Sequence, residues 1–138
     1  MADEVRETVQ HEGYAVGSLD GMAEGPGFRK VRRELGVTAF GVNAIELPGG
    51  YDVGSHYHEE QEELYFVHSG EIEMRFGDGR SFRLGPGGMA RVDAATVRGI
   101  RNPTDGDATY LVVGGKDGYV GREARRPEDE EITRPGAG

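Results

Sequence analysis

The stretch GYDVGSHYHEEQEELYFVHSG, residues 50–70, decides how the rest of the chain is interpreted. It contains three of the four histidines of the sequence, among them His56 and His58, and Glu63 follows soon after these two. Side chains two residues apart in an extended segment point to the same face, so both imidazoles can reach one ion. Two imidazoles and one carboxylate suit a divalent first-row metal and leave coordination positions open. The stretch therefore predicts a metal site made of His56, His58 and Glu63.

Short β-strands separated by glycine-rich turns are predicted around this stretch. The sequence has 24 glycines and 6 prolines in 138 residues, well above the average glycine frequency of about 7%. The glycines separate short apolar runs, and no window between residues 35 and 113 has sustained helical spacing. This pattern predicts a sandwich or a barrel. The predicted strands are 35–47, 63–68, 71–76, 80–84, 89–92, 97–101 and 109–113.

Five residues of the opening stretch resemble the first motif of the cupin family, which reads G-x5-H-x-H-x3/4-E-x6-G. They are Gly50, His56, His58, Glu63 and Gly70. The resemblance implies an all-β fold, a single cupin barrel of the double-stranded β-helix or jelly-roll type. It also implies that the two histidines and the glutamate bind a divalent metal such as iron, manganese, nickel or zinc.

Glu62 fits the shorter spacing that the motif allows. With Glu62 as the ligand, however, Ser69 would stand where the final glycine belongs. Glu63 is therefore the better candidate.

The second cupin motif, G-x5-P-x-G-x2-H-x3-N, is matched only in part. Aligned on Asn102, it places Gly87 at the first glycine. The proline, second-glycine and histidine positions are occupied by Asp93, Ala95 and Arg98. The histidine is the usual fourth ligand in metal-binding cupins, whereas a guanidinium is permanently protonated and has no lone pair for a metal. The resemblance therefore implies three ligands rather than four.

Arg98 allows two interpretations. In the first, His56, His58 and Glu63 hold a metal, and Arg98 binds a carboxylate or phosphate of a small anionic molecule. In the second, Arg98 forms an interior ion pair with Glu63 and takes the place of the metal. Tyr65 lies on the same strand face as Glu63, so it also points into the interior. There it either contacts the bound molecule or packs in the core with its hydroxyl hydrogen-bonded. His68 is out of phase with Glu63 and is predicted to point away.

Composition excludes several classes of protein. The chain has no cysteine, which excludes disulfides, thiolate metal ligands and a cysteine nucleophile. A formal net charge of −9 argues against binding to nucleic acid or to anionic membrane surfaces. No apolar run is long enough for a transmembrane helix, and the polar N-terminus does not resemble a secretory signal. The expected location is the cytoplasm.

The predicted organisation is one domain with two extensions. Residues 1–34 form an N-terminal extension with loops and edge strands, residues 35–115 form the barrel, and residues 116–138 form a polar, flexible tail, exposed from Arg122 onward. Cupins often pair through N-terminal strands, so the resemblance implies a homodimer to which residues 13–34 contribute.

Three functions remain open. The first is a metal-dependent oxygenase, isomerase or lyase acting on a small anionic molecule, with no catalytic residue assigned. The second is a non-catalytic binding or sensory cupin without metal, in which Glu63 pairs with Arg98. The third is an interaction protein whose interior holds that same closed ion pair.

Overall fold

The computed structural model describes residues 2–121 and 123–127. These residues form short strands and two short helices. In chain order the elements are β1 (Val9–His11), β2 (Tyr14–Val16), α1 (Leu19–Met22), β3 (Gly27–Arg29), α2 (Val31–Leu35), β4 (Gly41–Leu47), β5 (Asp52–His56), β6 (Glu62–Ser69), β7 (Ile72–Phe76), β8 (Ser81–Leu84), β9 (Met89–Val92), β10 (Arg98–Arg101) and β11 (Ala108–Gly115).

The strands build two main antiparallel sheets with the hydrophobic core between them. One sheet has the order β5-β10-β7-β8 and the other β3-β4-β11-β6-β9, while β1 and β2 form a separate hairpin. The core combines residues of both sheets, for example Ile72 and Ile100 from the first and Val67 and Val112 from the second. The predicted all-β jelly roll is confirmed, although the described strands form two facing sheets rather than one closed ring.

The N-terminal part differs most from the prediction. Residues 35–47 were expected to form one strand, but β4 begins only at Gly41, and Leu35 ends helix α2. The helix stops because Gly36 adopts a left-handed conformation, with φ +74°, which is a common helix C-terminus. The helices α1 and α2 were not predicted, since each is too short to produce a helical period in the sequence.

The side chains of strand β6 alternate between the interior and the surface, and this alternation points Glu63 inward. Glu63, Tyr65 and Val67 are buried, whereas Leu64 and Phe66 are partly exposed, as expected for side chains on opposite faces of a strand. His68 is exposed, which confirms that it points away from Glu63. The carboxylate of Glu63 therefore lies between the sheets, because Glu63 is on the same face of the strand as the core residues Tyr65 and Val67.

Asn102 connects the loop between β4 and β5 with the loop between β10 and β11. Its side-chain amide donates to the carbonyls of Leu47 (2.9 Å) and Gly106 (2.8 Å). Its backbone carbonyl accepts from Gly50 N (2.9 Å), and its backbone N–H donates to Tyr51 O (2.8 Å). The motif residue Asn102 therefore fixes loops and takes no part in a ligand set.

Replacing Gly70 by alanine is expected to destabilise the fold far more than the same change at Gly50. Both glycines have left-handed backbones, with φ +71° and +78°, which alone costs alanine about 1–2 kcal/mol. At Gly70 an added Cβ would also meet the carbonyl oxygen of Asp107 and lie 2.7 Å from Ala108 Cα, whereas nothing lies within 4 Å at Gly50. Urea unfolding should therefore show a loss of about 3 kcal/mol or more for Gly70→Ala. Equal losses for the two variants would contradict this account.

The C-terminal segment is packed where it is described. Glu123 and Ala124 are buried, and Tyr57 and Arg125 exchange two backbone hydrogen bonds of 2.8 Å. The prediction of an exposed tail from Arg122 onward is therefore wrong for Glu123 and Ala124, because a buried carboxylate and this bridge hold the segment against the domain. Residues 128–138 lie outside the described residues.

Within the described ranges, no helix is long and apolar enough to cross a membrane. The predicted homodimer and the cytoplasmic location stay predictions. In this fold the N-terminal residues expected at the dimer contact include β3, which lies at one end of the five-stranded sheet. Sedimentation equilibrium would measure the oligomeric state.

Candidate metal centre

Three side chains from different parts of the jelly roll converge between the sheets. His56 ends β5 of the four-stranded sheet, Glu63 lies in β6 of the five-stranded sheet, and His58 lies in the connection between them. One ligand atom from each residue lies within 4.8 Å of the other two. The sequence prediction that these residues come together is therefore confirmed.

The chemistry of this cluster fits a divalent metal. The Nε2 atoms of His56 and His58 and the Oε2 atom of Glu63 are all shielded from solvent. Oε2 of Glu63 accepts no hydrogen bond from the described residues, which is costly for a buried carboxylate oxygen. A cation bound to this oxygen and to two imidazoles would remove that cost. The donor set could therefore hold a metal.

Arg98 lies beside this cluster and is completely buried. Its Nη2 atom lies 3.6 Å from Glu63 Oε1. The guanidinium also donates to three backbone carbonyls, those of Ala94 (3.2 Å), Thr96 (2.9 Å) and Asp93 (3.4 Å). The structure thus places Arg98 in contact with Glu63 and with the loop that precedes β10.

The position of Arg98 follows from the strand register. Arg98 is the Cα partner of His56 in the pairing of β10 with β5. A side chain at this register position faces the same interior as His56. Arg98, at the histidine position of the second motif, therefore lies beside the ligand cluster. The substitution of arginine for histidine therefore puts a cation where a fourth ligand would otherwise lie.

Tyr65 is hydrogen-bonded to the same carboxylate. Its hydroxyl donates to Glu63 Oε1 over 2.6 Å. Burial, together with the nearby Glu63 carboxylate, raises the pKa of Tyr65 well above its usual value. The hydroxyl is therefore protonated at neutral pH, and it fixes Oε1 while Oε2 accepts no hydrogen bond from the described residues.

Two further residues near His58 were not found from the sequence. Gln61 Nε2 lies 3.0 Å from His58 Nδ1, and Glu123 Oε2 lies 3.5 Å from the same nitrogen. Gln61 lies within the opening motif, but the motif does not specify its residue type. Glu123 is far from the motif in the sequence, and no spacing rule connects the two.

A cavity of about 320 Å³ lies between the sheets next to the cluster. His56 and Tyr65 form the part of its wall that joins the cluster, whereas Arg98 does not line it. The remaining wall is mainly apolar and aromatic, and includes Phe28, Ile45, Leu47, Tyr51, Val53, Ile100, Tyr110 and Val112. Of the two predicted contacts with a bound molecule, Tyr65 therefore lines the cavity, whereas Arg98, like Glu63 and His58, does not.

Solved structures with a similar fold cover different parts of the chain. A cupin protein from Bacteroides fragilis is 22% identical, with a TM-score of 0.66, and the alignment covers 93% of this chain and 97% of that one. A predicted oxalate decarboxylase from Thermotoga maritima is 27% identical, with a TM-score of 0.51, over 54% of this chain and 64% of that one. The DMSP lyase DddQ from Ruegeria pomeroyi is 24% identical, with a TM-score of 0.59, over 67% of this chain and 45% of the lyase.

No protein of curated function matches the sequence. The family described as "Cupin domain" matches residues 44–114, which include both motifs and all the strands around the cluster. This match extends over just more than half of the chain. The chain therefore belongs to the cupin family.

Proposed function

We propose that this cupin binds one divalent metal through His56, His58 and Glu63 and uses the site to bind the anionic group of a small molecule. The observation that carries the proposal is the convergence of three buried ligand atoms within 4.8 Å of one another, beside a cavity whose wall includes His56. The bound metal would supply Lewis acidity or activate oxygen or water. Oxygenase, isomerase and lyase chemistry all agree with that role.

The charges around the cluster favour an anionic ligand. Glu63 and Glu123 carry two formal negative charges, and Arg98 carries one positive charge, so the cluster without metal has a formal charge of −1. A divalent ion would change this to +1 in a buried site. A carboxylate or enolate oxygen of the ligand would then neutralise the site, which low-dielectric surroundings strongly favour.

The cavity sets the size and the character of the rest of the molecule. A volume of about 320 Å³ is at the lower end of the range for small-molecule sites. Its wall is apolar apart from a few polar groups, so the proposed ligand has one anionic end and a compact apolar body. The predicted oxalate decarboxylase from Thermotoga maritima supports only the anionic part of this proposal, because oxalate is a small dicarboxylate without an apolar body.

The residues of the chain have separate roles in this proposal. His56 belongs to the cluster and also lines the cavity, so it connects the metal site with the space for the bound molecule. Tyr65 donates to Glu63 and lines the cavity, which keeps the carboxylate oriented and excludes water from one side. Arg98 contacts Glu63 and adds positive potential without lining the cavity.

Elemental analysis of the purified protein tests the proposal. The wild type, incubated separately with iron, manganese, nickel and zinc salts and then desalted, is expected to retain about one metal per chain for at least one of them. His56→Ala should retain much less metal. His68→Ala, which changes an exposed histidine of β6, should retain as much metal as the wild type. A wild type that retains none of the four metals would overturn the proposal.

A second candidate is supported by the contact between Arg98 and Glu63. A buried guanidinium 3.6 Å from a buried carboxylate is already a neutral pair, and three backbone carbonyls satisfy more of its donors. In that case the protein would be a metal-free binding or sensory cupin that uses the same cavity. Metal-free wild-type protein that binds small carboxylates in calorimetry would support this second candidate.

A further inference from the structure

The carboxylate of Glu123 reaches the ligand region from the C-terminal segment. Its Oε1 atom accepts from the backbone N–H of Glu60 (2.8 Å), and its Oε2 atom accepts from that of Gln61 (2.7 Å). Oε2 also lies 3.5 Å from Nδ1 of His58. The residue is only 7% exposed. One buried carboxylate thus contacts the backbone between the ligands and the ring of a ligand itself.

The segment that carries Glu123 is attached on both sides of His58. Arg125 exchanges two backbone hydrogen bonds of 2.8 Å with Tyr57, and its guanidinium contacts the carboxylate of Glu59. Together with Glu123, these contacts hold the stretch from Tyr57 to Gln61, which contains one ligand and leads to the next. Burying a carboxylate here is favourable because two backbone N–H groups satisfy it.

His58 can bind a metal through Nε2 only when its ring proton is on Nδ1. A carboxylate beside Nδ1 favours that arrangement electrostatically, because its negative charge attracts an N–H and repels the lone pair of an unprotonated nitrogen. Gln61 favours the opposite arrangement when its amide Nε2, 3.0 Å away, donates to Nδ1. In the second arrangement the proton would be on Nε2, 3.2 Å from Glu63 Oε1, and the ring could not act as a ligand.

We propose that Glu123 is a positioning residue that keeps the ring proton of His58 on Nδ1 and holds the stretch from Tyr57 to Gln61 in place for metal binding. The proposal rests on the proposed metal site but concerns a residue that contacts no metal. It makes the C-terminal segment part of the site. Partners of this kind typically change metal affinity by about 10–100-fold.

The test measures zinc affinity by competition with a chelator in the wild type, Glu123→Gln and Glu123→Ala. Glu71→Gln is the matched control, because it makes the same change of charge at a solvent-accessible ion pair with Arg83 of β8, outside the ligand cluster. Glu123→Gln is expected to bind zinc about 10–100-fold more weakly than the wild type, and Glu123→Ala at least as weakly. The control should stay within about twofold. A Glu123→Gln affinity within about twofold of the wild type would overturn the proposal.

A second readout uses no metal. Long-range ¹⁵N–¹H correlation of the histidine rings shows which nitrogen of His58 carries the proton. The wild type should carry it on Nδ1, and Glu123→Gln should shift part of the population to Nε2. If the wild type binds no zinc, the proposed function fails, but this readout still decides the role of Glu123. A wild-type ring protonated on Nε2, or the same tautomer mixture in Glu123→Gln, would overturn it.

Discussion

Replacing Arg98 by histidine is expected to raise the affinity for zinc by at least about a hundredfold. The change removes a cation that lies 3.6 Å from Glu63 and returns an imidazole to a position opposite His56. Coulomb's law gives about 3 kcal/mol for each pair of unit charges about 5 Å apart at an effective dielectric of 20. One such contribution already corresponds to more than a hundredfold in affinity. Chelator competition measures the change.

Arg98→Lys is the matched control for this variant. It keeps the positive charge and adds no metal ligand, so its zinc affinity should not exceed that of the wild type. Thermal unfolding of both variants checks that the jelly roll remains folded. A histidine variant that binds zinc no better than the wild type would show that the cation does not oppose the metal.

Replacing Glu63 by glutamine is expected to lower the free energy of unfolding by about 3–5 kcal/mol, because the guanidinium of Arg98 then stays buried without its anion. Both side chains of this pair are completely buried. The hydroxyl of Tyr65 keeps an acceptor in the glutamine amide, so the change tests mainly the charge. Urea unfolding of the metal-free protein measures it.

The double variant Glu63→Gln with Arg98→Met separates the ion pair from other effects. Removing both charges should cost less than the sum of the two single changes, by about 1–3 kcal/mol. The three backbone carbonyls that Arg98 contacts lose their donor both in the single variant Arg98→Met and in the double variant. The free-energy cost of that loss therefore cancels when the single and double variants are compared. Additive costs would mean that Glu63 and Arg98 do not stabilise each other.

The fold and the ligand cluster could be predicted because both depend on short-range patterns. His56 and His58 are two residues apart in an extended segment, and Glu63 is in phase with Tyr65 and Val67 on one face of β6. Turns rich in glycine marked most strand ends. Gly70 shows the physical reason for one of them, since no Cβ fits beside Asp107 and Ala108.

The remaining parts of the site depend on contacts between distant residues. Glu123 lies beside His58 in a C-terminal segment that pairs with Tyr57, and sequence spacing contains no information about that pairing. The sequence left open whether Arg98 faces the ligand or Glu63. The structure brings Arg98 to Glu63 because the carbonyls before β10 hold its guanidinium there. Register and loop geometry decide such contacts.

The central claim is that His56, His58 and Glu63 bind one metal together. The most direct measurement is X-ray diffraction from zinc-soaked crystals, with data collected on both sides of the zinc absorption edge. We expect one anomalous peak between Nε2 of His56, Nε2 of His58 and the carboxylate of Glu63, at about 2.0–2.2 Å from each ligand atom. Crystals that show no peak there, with Arg98 still in contact with Glu63, would contradict the account.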